Sequence, residues 1–179
     1  MDLDALLAEL TEAIRDDTPQ LAVRDVLQRA LDRPSELADA LPCTRAEFVP
    51  LLTTPEITVM KTVWAPGMQV PPHDHRMWGA IAVYTGKEDN TFWRRAGSGI
   101  EQSGGKELAQ GDVGLMGSDT IHSVHAPLSR AWTGAIHVYG GDFVTQERSM
   151  WFDGEESVGD SSRTAAIFEE ANRTLTSWC

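Results

Sequence analysis

The chain has 179 residues and a formal net charge of −12, from 15 Lys+Arg against 27 Asp+Glu. That length can bury one core without covalent staples, and the acidic balance disfavours a nucleic-acid backbone or an anionic membrane as partner. Two cysteines without paired spacing, Cys43 and Cys179, signal neither a disulfide framework nor a zinc knuckle.

No apolar run approaches a membrane span, and the start Met1-Asp2-Leu3-Asp4 lacks the basic and then apolar make-up of a signal peptide. The expectation is one cytoplasmic domain with no membrane partner, its oligomeric state open. Leu3, Leu6, Leu7, Leu10, Ala13 and Ile14 recur at steps of three and four, which predicts a helix from Leu3 to Arg15. Thr18-Pro19 opens a second, whose stripe Leu21, Val23, Val26, Leu27, Ala30 and Leu31 runs to about Asp32. Pro34 stops it, and Ser35 can cap a short third helix from Glu36 to Leu41.

Past Pro50 the texture turns to Pro, Gly, Thr, Val and Trp in short apolar runs between turn signals. Strands are predicted at Ile57–Trp64, His73–Tyr84, Asn90–Arg95, around Ile100, at Val113–Met116, Ile121–His125 and Ala131–Tyr139. Short strands without intervening helices argue for a sandwich or barrel. Asp153 to Asp160 reads as a mobile acidic loop, and a last helix spans roughly Ser162 to Arg173. One all-β domain over 1–179 results: a helical segment over 1–42, a β-barrel over 50–145, and a loop with a C-terminal helix over 146–179.

All five histidines, His73, His75, His122, His125 and His137, fall in the strand-rich region. His73 and His75, at i and i+2 of an extended segment, point the same way and can share a metal ion. Gly67 lies six residues before His73, and Gly111 eleven before His122. These spacings resemble the two motifs of the cupins, in which a glycine and five residues precede His-x-His and a second histidine follows a glycine by about eleven residues. The resemblance covers roughly residues 57–143. It implies a double-stranded β-helix jelly roll with His73, His75 and His122 as metal ligands. His125, on the other strand face, reads as a surface or packing residue.

Gly79 and Ala80 stand where many cupins carry a ligating glutamate, and Gly117 where many have proline. A site of three neutral imidazoles and no carboxylate is the pattern of the thiol dioxygenases, a cupin branch. Trp64, nine residues before His73, matches a tryptophan of that branch. Ala135-Ile136-His137-Val138-Tyr139 is similar to its Ser-x-His-x-Tyr segment, with Ala135 in place of the serine. This resemblance implies catalytic roles for Tyr139 and His137. The position of the cysteine that animal enzymes crosslink to the tyrosine falls at Ala80, so no crosslink forms. The stretch from His73 through Asn90, with Gly140-Gly141-Asp142-Phe143, is also similar to a bacterial group of metal-dependent double-stranded β-helix enzymes.

The function so implied is oxidation of a small thiol, of the cysteine or 3-mercaptopropionate type, to its sulfinate by dioxygen at Fe(II), with Ni, Mn or Zn as other candidate metals. A carboxylate on that substrate calls for a cation, and Arg45 and Lys61 are the candidates. Trp64 and Trp78 are candidate pocket walls, and Asp74 a hydrogen-bond partner of the site. Arg94 and Arg95 read as a solvated strand end. The alternatives are a metal-dependent cupin dioxygenase, hydrolase or lyase on a non-thiol small molecule, and a non-catalytic small-molecule-binding barrel.

Overall fold

The computed structural model describes residues 1–128, 131–159 and 161–176, so Cys179 and Asp160 lie outside the described residues. Three helices lead the chain: α1 (Leu3–Ala13), α2 (Pro19–Leu31) and α3 (Pro34–Ala40). The starts of α1 and α2 follow from the sequence, whereas α3 begins at Pro34, with Arg33 rather than Ser35 at its N-cap. The Asp2 carboxylate accepts the Ala5 N–H (3.1 Å) as an N-cap, and Pro19 and Pro34 occupy the first helical turn, where no N–H is needed. A fourth helix, α4 (Ser161–Thr176), follows the strands.

Two antiparallel sheets form the barrel. The first has the order β1-β2-β9-β4-β7, with β1 (Glu47–Thr53), β2 (Thr58–Trp64), β9 (Thr133–Tyr139), β4 (Gly79–Thr85) and β7 (Val113–Met116). The second runs β11-β10-β3-β8-β5-β6, with β11 (Glu155–Val158), β10 (Ser149–Phe152), β3 (Gln69–Asp74), β8 (Ile121–His125), β5 (Lys87–Ala96) and β6 (Gly99–Ala109). Alternation along the first sheet divides its residues between two cores. Ile57, Val59, Ala80, Ala82, Tyr84, Ile136 and Val138 pack outward against Leu6, Leu10, Val23, Leu27 and Leu37 of the helices. Ile81, Val83 and Ala135 point inward and close with Leu108 and Met116 into an apolar floor. Gln20 of α2 pins the layers together, its amide donating to the carbonyls of Gly79 (3.0 Å) and Met116 (2.7 Å).

Four expectations about the strands and their surroundings are corrected. The strand expected over His73–Tyr84 is two strands, β3 and β4, separated by a turn in which Arg76 takes the left-handed conformation (φ 55°). The acidic segment expected as a mobile loop is the β10–β11 hairpin. Its Asp153-Gly154 corner has both residues at positive φ (52° and 83°), as a two-residue hairpin turn prefers. Glu156 of that hairpin is held by a bidentate pair from Arg95 (2.7 and 2.9 Å), so Arg95 is paired rather than merely solvated. Finally, β1 begins before the expected barrel start, with Pro50 at a register shift on an edge strand, where the missing N–H is tolerated.

Gly134 of β9 is tightly covered by side chains. A Cβ there would lie 2.5 Å from Cys43 Sγ and from the Tyr84 ring, whose hydroxyl donates to the Leu41 carbonyl (2.9 Å). Gly134→Ala is expected to cost about 1–3 kcal/mol by overpacking, read as a lowered urea midpoint with unchanged slope. An unchanged midpoint would show that Tyr84 and Cys43 can yield.

Candidate metal centre

The centre is assembled at the ends of β3 and β8. Pro71 and Pro72 lack the N–H groups of a regular ladder, and the β3–β8 register shifts between Val70 and His73. Beyond the shift, His73 pairs directly with His122 across the two strands, bringing their ring centroids to 4.5 Å. His75 lies just past the end of β3, and its ring sits 5.0 Å from each of the other two. The three ligand nitrogens lie within 4.8 Å of one another.

Hydrogen bonds prepare these rings for one ion. His73 Nδ1 donates to the Pro71 carbonyl (2.9 Å), and His122 Nδ1 donates to Asn90 Oδ1 (2.8 Å), leaving both Nε2 lone pairs free. The Nε2 atoms of His122 and His75 stand 3.4 Å apart, long for a hydrogen bond. That spacing fits one edge of a ligand tetrahedron with Zn–N-type bonds of about 2.0–2.1 Å. Burial drives all three imidazoles toward the neutral form: His73 is lowered to about 4, and His75 and His122, which also feel the neighbouring histidines, lie well below the ordinary value. Metal binding needs neutral imidazole, so the three-histidine cluster has the chemistry, spacing and protonation of a metal site.

A second set of polar groups lies behind it. Asn90 Nδ2 donates to Glu88 Oε1 (3.0 Å), Trp64 Nε1 donates to Glu88 Oε2 (2.5 Å), and His137 Nε2 faces the same oxygen at 3.9 Å. On its far side, His137 Nδ1 meets the Tyr139 hydroxyl at 3.1 Å. Glu88 is fully buried. Burial alone would raise its pKa, but His137, Asn90 and Trp64 together hold it below the usual carboxylate value. Burial also raises the Tyr139 phenol, so it stays protonated.

A cavity of about 40 Å³ opens from the histidines, walled by Phe48, Trp64, Tyr139, Phe143, Arg148 and Met150, with Phe168 of α4 across its mouth. Room of this order holds only a few water-sized groups. Phe168 stacks on Trp64 (5.4 Å) and on Phe48 (6.1 Å). A second, larger chamber of about 490 Å³ adjoins it, sharing Phe48, Phe143, Arg148 and Phe168 as walls.

The sequence-predicted residues divide accordingly. His73, His75, His122, His137, Tyr139 and Trp64 are brought together. Arg45 lines the outer chamber instead. Lys61 is not at the cavity: alternation turns it to the helical side of β2, where its ammonium donates to the Pro42 carbonyl (2.8 Å) and pairs with Glu47. Trp78 is corrected likewise. It packs over Gly140 on the helical side, beside Thr11 of α1 and the following Ile14. Asp74 holds β10 through the Ser149 N–H (2.7 Å) and bonds no histidine. His125 lies outside, 3.7 Å from Asp89. Ala80 packs among the helices, and it is Gly79 that faces the Tyr139 ring, 3.5 Å from a Cβ placed there.

Glu88, Asn90 and Arg148 were not anticipated. The first two carry a readable signal: Glu88, Asn90 and Phe92 alternate along β5, but a strand expected only from Asn90 onward leaves Glu88 outside it. Arg148 lies in an irregular segment before β10, and no spacing marks it.

No family model matches the sequence. Among solved structures, the fold superposes on the Bacillus halodurans protein BH2720 with TM-score 0.53 and 15% identity, over 73% of this chain and 89% of that one. DMSP lyase DddQ from Ruegeria pomeroyi gives TM-score 0.49 and 15% identity over 62% and 54%. An RmlC-like cupin family protein from Methanocaldococcus jannaschii, described as having a double-stranded β-helix fold, gives 0.47 and 12% over 57% and 86%. At such identities the likeness is one of fold. With two antiparallel sheets, leading helices and a closing helix, the chain has the double-stranded β-helix fold.

Proposed function

We propose that this protein is a metal-dependent oxygenase of small thiols, converting a carboxylate-bearing thiol to its sulfinate with dioxygen. The observation that carries the reading is the ligand set: three neutral imidazoles with no carboxylate among them, beside the His137–Tyr139 pair on the same cavity wall. Bound there, a ferrous ion supplies the Lewis acidity that lowers a thiol's pKa and the redox capacity for dioxygen chemistry. His73, His75 and His122 would hold it.

The remaining work falls to the chain's own side chains. Arg148 is the cation at the cavity that Arg45 and Lys61 do not provide. Its Nη1 donates to the Phe143 carbonyl (2.8 Å) and its guanidinium lies 4.0 Å over the Phe143 ring, which fixes the fork while leaving other N–H groups to grip a carboxylate. Burial disfavours its charge, a cost that an anionic substrate offsets. His137 holds the Tyr139 hydroxyl at the cavity wall, and Phe48, Phe143 and Phe168 exclude water. The second reading, a metal-dependent enzyme acting on a non-thiol, rests on Ala135. That residue belongs to the dry floor with Ile81 and Val83 and supplies no hydroxyl to His137.

Oxygen uptake by iron-loaded protein separates these readings. Uptake is expected with cysteine or 3-mercaptopropionate, and Arg148→Gln should raise KM for those acids roughly tenfold or more, the scale of one lost charged hydrogen-bond partner, with little effect on cysteamine. Absence of thiol-dependent uptake overturns the thiol reading. His122→Ala should abolish both metal binding and turnover.

Metal affinity should also be unusually insensitive to pH. Three free histidines of ordinary pKa would lose about a thousandfold in combined availability between pH 7.5 and 5.5. Here the folded-state values are depressed, so proton competition begins only as pH falls toward that of His73, about 4. Titration of Co²⁺ at pH 7.5 and 5.5 is expected to differ by less than roughly tenfold, and a thousandfold loss would refute the buried, neutral state of the ligands.

A further inference from the structure

A fully buried carboxylate in the barrel touches no ligand of the proposed metal, yet accepts hydrogen bonds from Asn90 and Trp64. Glu88 is fully buried and, as a carboxylate, can only accept. The Asn90 amide is therefore obliged to turn its NH₂ toward Glu88 (3.0 Å) and its carbonyl oxygen toward His122 (2.8 Å). An acceptor at that position demands a proton on His122 Nδ1, and a neutral imidazole protonated at Nδ1 has its lone pair on Nε2, the atom that faces His75. Trp64, whose indole can only donate, occupies the other oxygen (2.5 Å) and holds the carboxylate in place. We propose that Glu88 is a positioning residue that sets the metal-binding tautomer of His122 through Asn90. The inference rests on the reading of His73, His75 and His122 as metal ligands, but its primary readout needs no metal.

The chain of donors and acceptors dictates the test. In Glu88→Gln the single carbonyl oxygen cannot serve both Trp64 and Asn90. If it stays with Trp64, the new NH₂ faces Asn90, whose amide must flip to offer oxygen, and His122 then meets an NH₂ and moves its proton to Nε2. The double variant Glu88→Gln/Asn90→Asp restores the order. Its introduced amide accepts from Trp64 and donates to the introduced carboxylate, which in turn accepts from His122.

Long-range ¹H–¹⁵N correlation spectra of the metal-free, full-length protein report which nitrogen of His122 is protonated, and Co²⁺ titration reports affinity. Wild type should show Nδ1–H. Glu88→Gln should shift His122 toward Nε2–H and weaken Co²⁺ by about 10–100-fold, the range found for removal of outer hydrogen-bond partners. The double variant should recover the tautomer and most of the affinity, which a variant damaged only in packing would not do. An Nε2–H proton in wild type, an unchanged tautomer in Glu88→Gln, or a double variant no better than the single overturns the proposal. Should Glu88→Gln fail to fold, Asn90→Ala carries the test, and a retained Nδ1–H preference in that variant overturns it. If wild type fails to bind Co²⁺ the metal reading falls, while the tautomer still decides the role of Glu88.

Discussion

His73 and His122 face each other across the antiparallel pair of β3 and β8, and the rest of the site is arranged around that one register. Cross-strand neighbours on one face are the closest side chains a sheet offers. The pair is reached only because the two prolines before His73 break the ladder and let it resume one step out. His75 then needs no place on a strand. Its ring lies 5.0 Å from each of the other two, and Arg76, in the left-handed conformation, bonds Ser149 Oγ (3.1 Å). Asp74, between the two histidines, fastens β10. Four consecutive residues thus supply two candidate ligands and two clamps on the neighbouring hairpin.

Around that pair the barrel interior is graded from dry to polar. Ile81, Val83, Leu108, Met116 and Ala135 form the floor, the histidines and Tyr139 the middle, and Arg148 with the phenylalanines the mouth. Low dielectric strengthens every hydrogen bond in such a space and penalises each unmade one. Among the described residues, the buried side-chain atoms without a hydrogen-bond partner are Thr62 Oγ1 and His137 Nε2, and the second of these looks straight at Glu88. The polar layer is therefore not a scatter of tolerated groups. It is a connected set running from His122 through Asn90 and Glu88 toward His137 and Tyr139.

Much of this was legible in the residues. Helical stripes, the glycine-to-histidine spacings and the alternation that puts His137 and Tyr139 on one face depend on local periodicity, and periodicity survives folding. What failed depended on which core a strand face meets or on distant partners. Nearness to His75 in sequence makes Trp78 a candidate pocket wall, whereas it packs with Ala80 and Ala82 against the helices. Lys61 has the charge a substrate carboxylate calls for, but the face it shares with Val59 belongs to the helical core. The acidic hairpin looked mobile because its charges were counted without Arg95, which is far off in sequence. Arg148 reaches the mouth only through tertiary packing, which no spacing reveals.

The division of β9 between two cores has a consequence for how the protein can change. Ile136 and Val138 fill the helical core while His137 and Tyr139, one step away, build the cavity wall. A slip of one residue exchanges the two faces completely. A single insertion or deletion in that strand would therefore bury an imidazole and a phenol among the leucines of α1 and α2 and line the histidine cavity with aliphatic side chains. Variation by substitution is open to this strand, and variation in length is closed to it.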